Sequence, residues 1–414
     1  MTTSYRVSNE LFLWWLADPG APVLVGSLRH VQRKGPQPAG VSLEYAESWL
    51  SHGLTLSEDL PLQRGEFLPA ETDAAAGAVD DARPDRWGER VIRLLDHPSR
   101  LSTLEFLYFA GDDRFGALGV STSGVDYLPR RHGAMPVLKD VETMHALVRK
   151  VEAGEAVEER LRRLITPGAT LGGARPKALL QMEGEAWVLK FAETGDPLDS
   201  PVAEHAAMTL AAKAGISVCT TRLIKLRSGH AVAVRRFDRQ GAGRLHALSA
   251  HVALRAAGQA FGYPELALLL RRRGPADQIE AQGEELFRRM VFNILIDNSD
   301  DHEKNHALLV DGRQRYGLAP AFDVLPSGQA IGYQQMRVGR DGAESTLGNA
   351  LSEHRAFSLT EERARQVIAE VATQVESWEA HFRSEGTSAV DMTFLKSQID
   401  RPFLLDQRRA WLRT

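Results

Sequence analysis

The densest cluster of chemically capable side chains lies at 293–310, NILIDNSDDHEKNHALLV. An apolar run leads into Asp300, Asp301, His302, Glu303, Lys304, Asn305 and His306, and a second apolar run follows, so the polar residues fall where the chain turns. A plain solvated turn would have a similar composition; the spacing sets this one apart. Asp300 and Asn305 fit the pattern D-x-x-x-x-N. In phosphoryl-transfer loops that pattern supplies a carboxylate base for the attacking hydroxyl and an amide oxygen for Mg2+, a hard cation that takes oxygen ligands. Asp323, which follows Phe322 in LAPAFDVLP, is a candidate second metal ligand. His302 is expected to support the loop by hydrogen bonding. Residues 302–306 also spell H-E-x-x-H, the mark of a zinc peptidase when both histidines share one face of a regular helix. Two aspartates before the first histidine and a lysine inside the motif weigh against that chemistry.

Nucleotide phosphates would need cationic and backbone N–H partners, and these are sought upstream. Lys190 ends the strand-like run AWVLK, and Glu204, in the helix-like segment that follows, is placed to pair with it. The segment GGARPK at 172–177 precedes that strand. Gly172, Gly173 and Ala174 would let backbone N–H groups approach phosphate oxygens, and Lys177 could add a second cationic contact. The segment lacks G-K-[ST] and so is not a Walker A loop.

These residues require elements to hold them. Up to about residue 125, short strand-like runs (22–28, 41–45) and one helical segment near 84–96 alternate with Gly- and Pro-rich turns, as in a small α+β unit. A helix is expected over 138–165, then strands on either side of a turn at MEGE, 182–185. In SPVAEHAAMTLAAKAGI, Ser200 can cap a helix, Pro201 suits its first position and Gly215 its end. Strand-like runs follow near 218–226 and 230–237, and the rest reads as helical, including one helix over 359–384. The expected fold class is α+β. It comprises a small N-terminal subdomain (1–125), a strand-rich lobe (126–240) and a helical lobe (241–414), the last two in the order of a two-lobed kinase.

With 414 residues, the chain exceeds what one hydrophobic core usually serves. At 43% hydrophobic and 25% charged residues, it is neither disordered nor collagen-like. A net charge of −4 provides no general basic excess for coating nucleic acid. The single cysteine, Cys219, excludes an internal disulfide and a cysteine-based zinc site. No apolar run approaches the roughly 18 residues of a membrane span, and the start MTTSYRVSNELFLWW is not a secretory signal. No membrane association is expected, and a cytoplasmic location is.

The combination resembles the HipA family of serine/threonine kinases, the toxins of bacterial toxin–antitoxin pairs. SDDHEKNHALL is similar to the family's catalytic stretch, AFDVLPS to its metal-binding segment, TLGGARPKALL to its phosphate loop, WVLKF to its ATP-lysine strand and VRRFDR at 234–239 to its hinge. LTLSEDLPLQRG at 54–65 and GDDRFGAL at 111–118 resemble the subdomain preceding the kinase core. The resemblance implies Mg2+ and ATP as cofactors and transfer to a Ser or Thr of a protein such as an aminoacyl-tRNA synthetase. Asp300 would be the base, Asn305 and Asp323 the metal ligands, Lys190 the α/β-phosphate partner, and Arg235, Arg236 and Phe237 the adenine-side residues. It also implies a helix-turn-helix antitoxin as partner, with DNA reached only through it. In the family, a Ser before the Gly-rich segment becomes autophosphorylated, and Thr170 occupies that place. Arg235 replaces an acidic hinge residue, Asp301 stands where Gly is frequent, and DDARPDRWGER at 80–90 suggests a divergent branch. A catalytically weak regulatory module that binds the antitoxin is the alternative.

Overall fold

The structure, a computed structural model, describes residues 8–32, 35, 38–166, 173–327, 329 and 331–412. The chain divides into two compact units, 1–188 with 238–248 and 189–237 with 249–414.

In the first unit, alternating apolar residues build a sheet from β1 (Glu10–Trp15), β2 (Val23–Val31), β3 (Gly40–Tyr45), β4 (Glu66–Phe67), β5 (Ala74–Ala75) and β6 (Leu118–Ser121). Its order is β4-β3-β2-β1-β6, with β5 parallel to β3. Leu11 and Leu13, like Val41 and Leu43, sit two apart and are fully buried, the period-2 signature of one strand face. After α1 (Glu47–His52) come α2 (Arg86–Leu95) and α3 (Thr103–Phe109). Every residue of α3 is buried, Thr103 and Glu105 included, and it packs on β1, β2, β3 and β6. Asp85 caps α2 by accepting from the Gly88 N–H at 2.8 Å.

The expected helix over 138–165 is shorter: α4 (Val141–Ala153) ends at Gly154, whose φ of 71° is the left-handed stop that glycine adopts without a Cβ penalty, and a 3-10 segment follows over Glu159–Leu164. β7 (Lys177–Met182) and β8 (Glu185–Phe191) flank the expected turn. Glu183 and Gly184 both have positive φ there, the geometry of a tight hairpin connection. The strand over 10–15 was not anticipated.

In the second unit, α5 (Ser200–Lys213) begins at Ser200 rather than after it, and Gly215 follows its end at φ 82°. Asp199 holds the cap position without a side-chain cap bond, because its carboxylate meets His230 Nδ1 at 2.7 Å. β9 (Thr221–Lys225) and β10 (His230–Arg235) form an antiparallel hairpin. The chain then passes through the first unit with β11 (Arg239–Gln240) and β12 (Gly243–Arg244) and leaves it along β13 (Ala247–Ser249). The remainder holds α6 (Ala250–Ala256), α7 (Tyr263–Arg273), α8 (Ile279–Leu295), the hairpin β14 (Ala307–Val310) and β15 (Tyr316–Leu318), α9 (Leu347–Ser352), α10 (Glu361–Glu376), α11 (Trp378–Ser384), α12 (Ala389–Ile399) and α13 (Pro402–Leu412). The expected helix over 359–384 is thus two helices, broken at Ser377. α8 is the core of this unit, packed by α7, α9, α10 and α13. Phe287, Phe292, Ile294 and Leu295 on it are fully buried. Gly283 lets it approach the segment at 354–357 closely, since a Cβ there would lie 2.1 Å from the Phe357 carbonyl oxygen.

Candidate active site

β8 ends in Leu189, Lys190 and Phe191, all buried, so the Lys190 ammonium cannot be left to water. It is held between two carboxylates. Lys190 Nζ donates to Glu204 Oε1 at 2.6 Å and to Asp323 Oδ1 at 2.5 Å. Burial alone would depress the lysine's pKa, but Asp323 and Glu204 outweigh it and hold the group above the ordinary lysine range. Glu204 comes from α5, so this contact fixes the helix against the strand. Asp323 has a φ of 58°, in the left-handed region that costs a non-glycine residue roughly 1–2 kcal/mol. Backbone strain of this kind collects at sites where a side chain must be aimed. Phe322, immediately before it, stacks on Phe237 with ring centroids 5.6 Å apart.

The polar loop starts where α8 stops. Asp297 turns at φ 60°, and the Asn298 N–H closes on the Asn293 carbonyl at 2.9 Å. Asp300 is exposed. Residues Glu303–Asn305 make one 3-10 turn. His302 precedes it, and its Nδ1 accepts the Lys304 N–H at 3.2 Å. Asn305 is buried, and its Oδ1 has no hydrogen-bond partner among the described residues. Together with Asp301 and His306 it lines a small cavity shared with Phe322 and Val324, the residues on either side of Asp323. Ser327 ties the same two segments together: its hydroxyl meets Ser299 Oγ at 2.7 Å and donates to the Asp297 carbonyl at 3.0 Å.

Lys190, Glu204 and Asp323 are therefore in direct contact, and Asn305 adjoins the Asp323 segment. Asp300 and His302 share the loop with Asn305. Arg235 is exposed, Arg236 buried and Phe237 half-buried at the end of the β9–β10 hairpin. Gly173, Ala174 and Lys177 belong to the first unit, where buried Lys177 donates to Asp85 Oδ2 at 2.5 Å and to the Gly173 carbonyl at 2.9 Å. Gly172 and Thr170 lie outside the described residues.

The H-E-x-x-H reading fails on geometry. Its residues occupy a single 3-10 turn, His306 is extended at φ −115°, and His306 Nε2 meets Asp301 Oδ2 at 2.8 Å. Among the described residues, no group of three or more His, Cys, Asp or Glu is arranged to hold a metal ion. Sequence reasoning missed the buried network around Asp301, which also includes Tyr263, Asn293 and Asn298. Its visible signal was Asn293 inside the apolar stretch MVFNILI.

Residues 169–379 match the family model of the HipA-like C-terminal domain, and 23–121 that of the HipA N-terminal domain. Y4dM of Sinorhizobium fredii (strain NBRC 101917 / NGR234), a protein provisionally named a kinase, is 29% identical over 161 residues. That match covers 34% of this chain and only 37% of Y4dM. A chain of the Shewanella oneidensis MR-1 toxin–antitoxin complex of HipA, HipB and operator DNA superimposes with a TM-score of 0.64 at 16% identity, covering 97% of each chain. At that identity the likeness is one of fold, and it runs the length of both chains.

Proposed function

Because this chain belongs to the HipA family and has its kinase-like fold, we propose that it is a serine/threonine protein kinase that transfers the γ-phosphate of ATP to a protein hydroxyl. The observation that carries this reading is the buried Lys190 held by Glu204 and Asp323, with the Asn305 oxygen, unpartnered among the described residues, beside the Asp323 segment. A buried amide oxygen without a donor is costly unless something binds it. With the Asp323 carboxylate it would make an all-oxygen donor set, which suits Mg2+. Mg2+-ATP, when bound, supplies the phosphoryl group and neutralises its charge.

This chain's own residues do the rest. Asn305 and Asp323 hold the metal, and Lys190, kept charged by Glu204, binds the α/β-phosphates. Gly172, Gly173 and Ala174 are the proposed phosphate-loop residues. Lys177, the second proposed phosphate contact, also pairs with Asp85. Arg235, Arg236 and Phe237 line the adenine side. Asp300, the exposed carboxylate of the loop, orients the acceptor hydroxyl and takes its proton, while His302 caps the turn that carries it. Thr170 is the candidate autophosphorylation site.

The fold likeness to a chain of a HipA–HipB–operator complex supports a helix-turn-helix antitoxin as partner, with DNA bound through it. An aminoacyl-tRNA synthetase is the proposed target class, which would make the protein an inhibitor of translation. Phosphoproteomics after brief induction of wild type and Asp300→Gln tests the activity and names the target. New phosphoserine or phosphothreonine in the wild type alone is expected. Matching phosphoproteomes from a wild type that binds Mg2+-ATP would instead favour a regulatory module.

A further inference from the structure

Asp301 and His306 each lie one residue beyond a member of the D-x-x-x-x-N pair: Asp301 follows Asp300, and His306 follows Asn305. Both are buried, and His306 Nε2 meets Asp301 Oδ2 at 2.8 Å, so one hydrogen bond spans the turn between base and metal ligand. The Tyr263 hydroxyl donates to the same carboxylate oxygen from α7. Asn293 Nδ2, on α8, donates to the Tyr263 oxygen at 3.4 Å, and Asn298 Nδ2 donates to Asn293 Oδ1 at 3.1 Å. Every link in this chain points toward the anion, and donors aligned in that way polarise one another. The bonds inside the turn are local by comparison: Asn305 N–H to the His302 carbonyl at 2.8 Å, and Lys304 N–H to His302 Nδ1 at 3.2 Å. They set the shape of the turn, and Glu303 within it meets His251 Nδ1 of α6 at 2.8 Å. From α6, the Ala250 N–H donates to the His306 carbonyl at 2.8 Å, which fixes the far end of the loop as well.

We propose that Asp301 is a positioning residue: by binding His306 and Tyr263 at once, it sets the separation of Asp300 and Asn305 and fastens both to α7 and α8. The proposal rests on the kinase reading for its catalytic consequence and on the hydrogen-bond geometry alone for its structural one. Two measurements on the full chain separate these. The first is Mg2+-dependent phosphoryl transfer by wild type, Asp301→Ala, Asp301→Asn and Tyr263→Phe. Misplacing a reacting group by about 1 Å costs on the order of a hundredfold, so Asp301→Ala should lower kcat by about tenfold to a hundredfold. It should also raise the Mg2+ requirement while leaving the KM for ATP nearly unchanged, because Lys190, Glu204 and Asp323 are untouched. Asp301→Asn, which keeps an acceptor in place, should recover part of the loss. Tyr263→Phe, the milder change, should show a smaller effect of the same kind.

The second measurement is amide hydrogen exchange, with faster exchange expected over 300–306 and little change elsewhere. An active wild type with kcat and Mg2+ dependence unaltered in Asp301→Ala would overturn the positioning role and leave the kinase reading standing. A wild type inactive on every acceptor would end the kinase reading, and exchange over 300–306 would then decide alone whether Asp301 orders the turn. Uniform loss of protection in both Asp301→Ala and Tyr263→Phe would overturn the proposal in favour of a general core role.

Discussion

Lys190 and Asn305 make opposite trades between stability and function. The lysine offsets two carboxylates, so Lys190→Met removes the ammonium that Glu204 and Asp323 share in a buried place. Breaking a buried pair from one side costs about 3–5 kcal/mol. Glu204→Gln leaves the lysine its bond to Asp323 and should cost less; urea unfolding of the two variants measures the order, and an inverted order would contradict the described contacts. Asn305 is the reverse case. Its buried oxygen has no partner among the described residues, so Asn305→Ala removes an unsatisfied group along with a few contacts. The expected result is a Tm close to wild type with Mg2+-dependent nucleotide binding lost. A large drop in Tm with binding retained would show the amide to be structural. Much of this was legible beforehand: the identities and order of Lys190, Glu204, Asn305 and Asp323 stand in the sequence, and the structure joins Lys190, Glu204 and Asp323 directly, with Asn305 on a cavity it shares with Phe322 and Val324. What spacing could not reveal was that Asp301 points inward, since a run of adjacent polar residues looks uniformly solvated until helices such as α7 and α8 offer it donors.

At the scale of elements, α2 depends on one carboxylate twice. Asp85 caps the helix and pairs with buried Lys177, and Trp87, in the first turn, donates its indole N–H to the Lys177 carbonyl at 2.8 Å. Asp85→Ala should therefore destabilise by more than the roughly 1 kcal/mol of a lost cap, toward the 3–5 kcal/mol of a broken buried pair; a loss no larger than a cap's would show that Lys177 finds another partner. A pH dependence belongs to this scale as well. Burial holds His132 and His246 down to about 4, with Arg130 adding to the effect on His132. Both are neutral in the folded chain while the unfolded chain titrates near 6.5. The unfolded state thus binds more protons between pH 4 and 6.5, and stability falls as pH drops through that window, by up to about 3 kcal/mol for each group. Thermal melts should show this slope, and His246→Gln should flatten it; an unchanged slope would contradict it. The helix ends at Gly154 and Ser377 were read through because apolar spacing continued on both sides of each, and only the local backbone stops the helix there.

For the molecule as a whole, the order of elements was readable because strands and helices segregate along the chain. The α+β class and the kinase-like plan both rested on that order, and the family match and the fold likeness support them. The two compact units do not follow sequence blocks: 238–248 joins the first unit although it lies between stretches of the second. Part of the reason is physical. Asp238 is fully buried and accepts the Gly116 N–H at 2.8 Å, a contact across more than a hundred residues that no local pattern announces. No helix among the described residues is long and apolar enough to cross a membrane. In the proposed reaction, separated residues act on one Mg2+-nucleotide and transfer its phosphate. Transfer of labelled γ-phosphate by the purified chain, with Asp300→Gln compared at equal Tm and equal nucleotide affinity, is the decisive measurement. Mg2+-dependent phosphoserine or phosphothreonine is expected from wild type, with a loss of about a hundredfold or more in the variant, within the span attributed to a general base. Equal transfer by both proteins would contradict it.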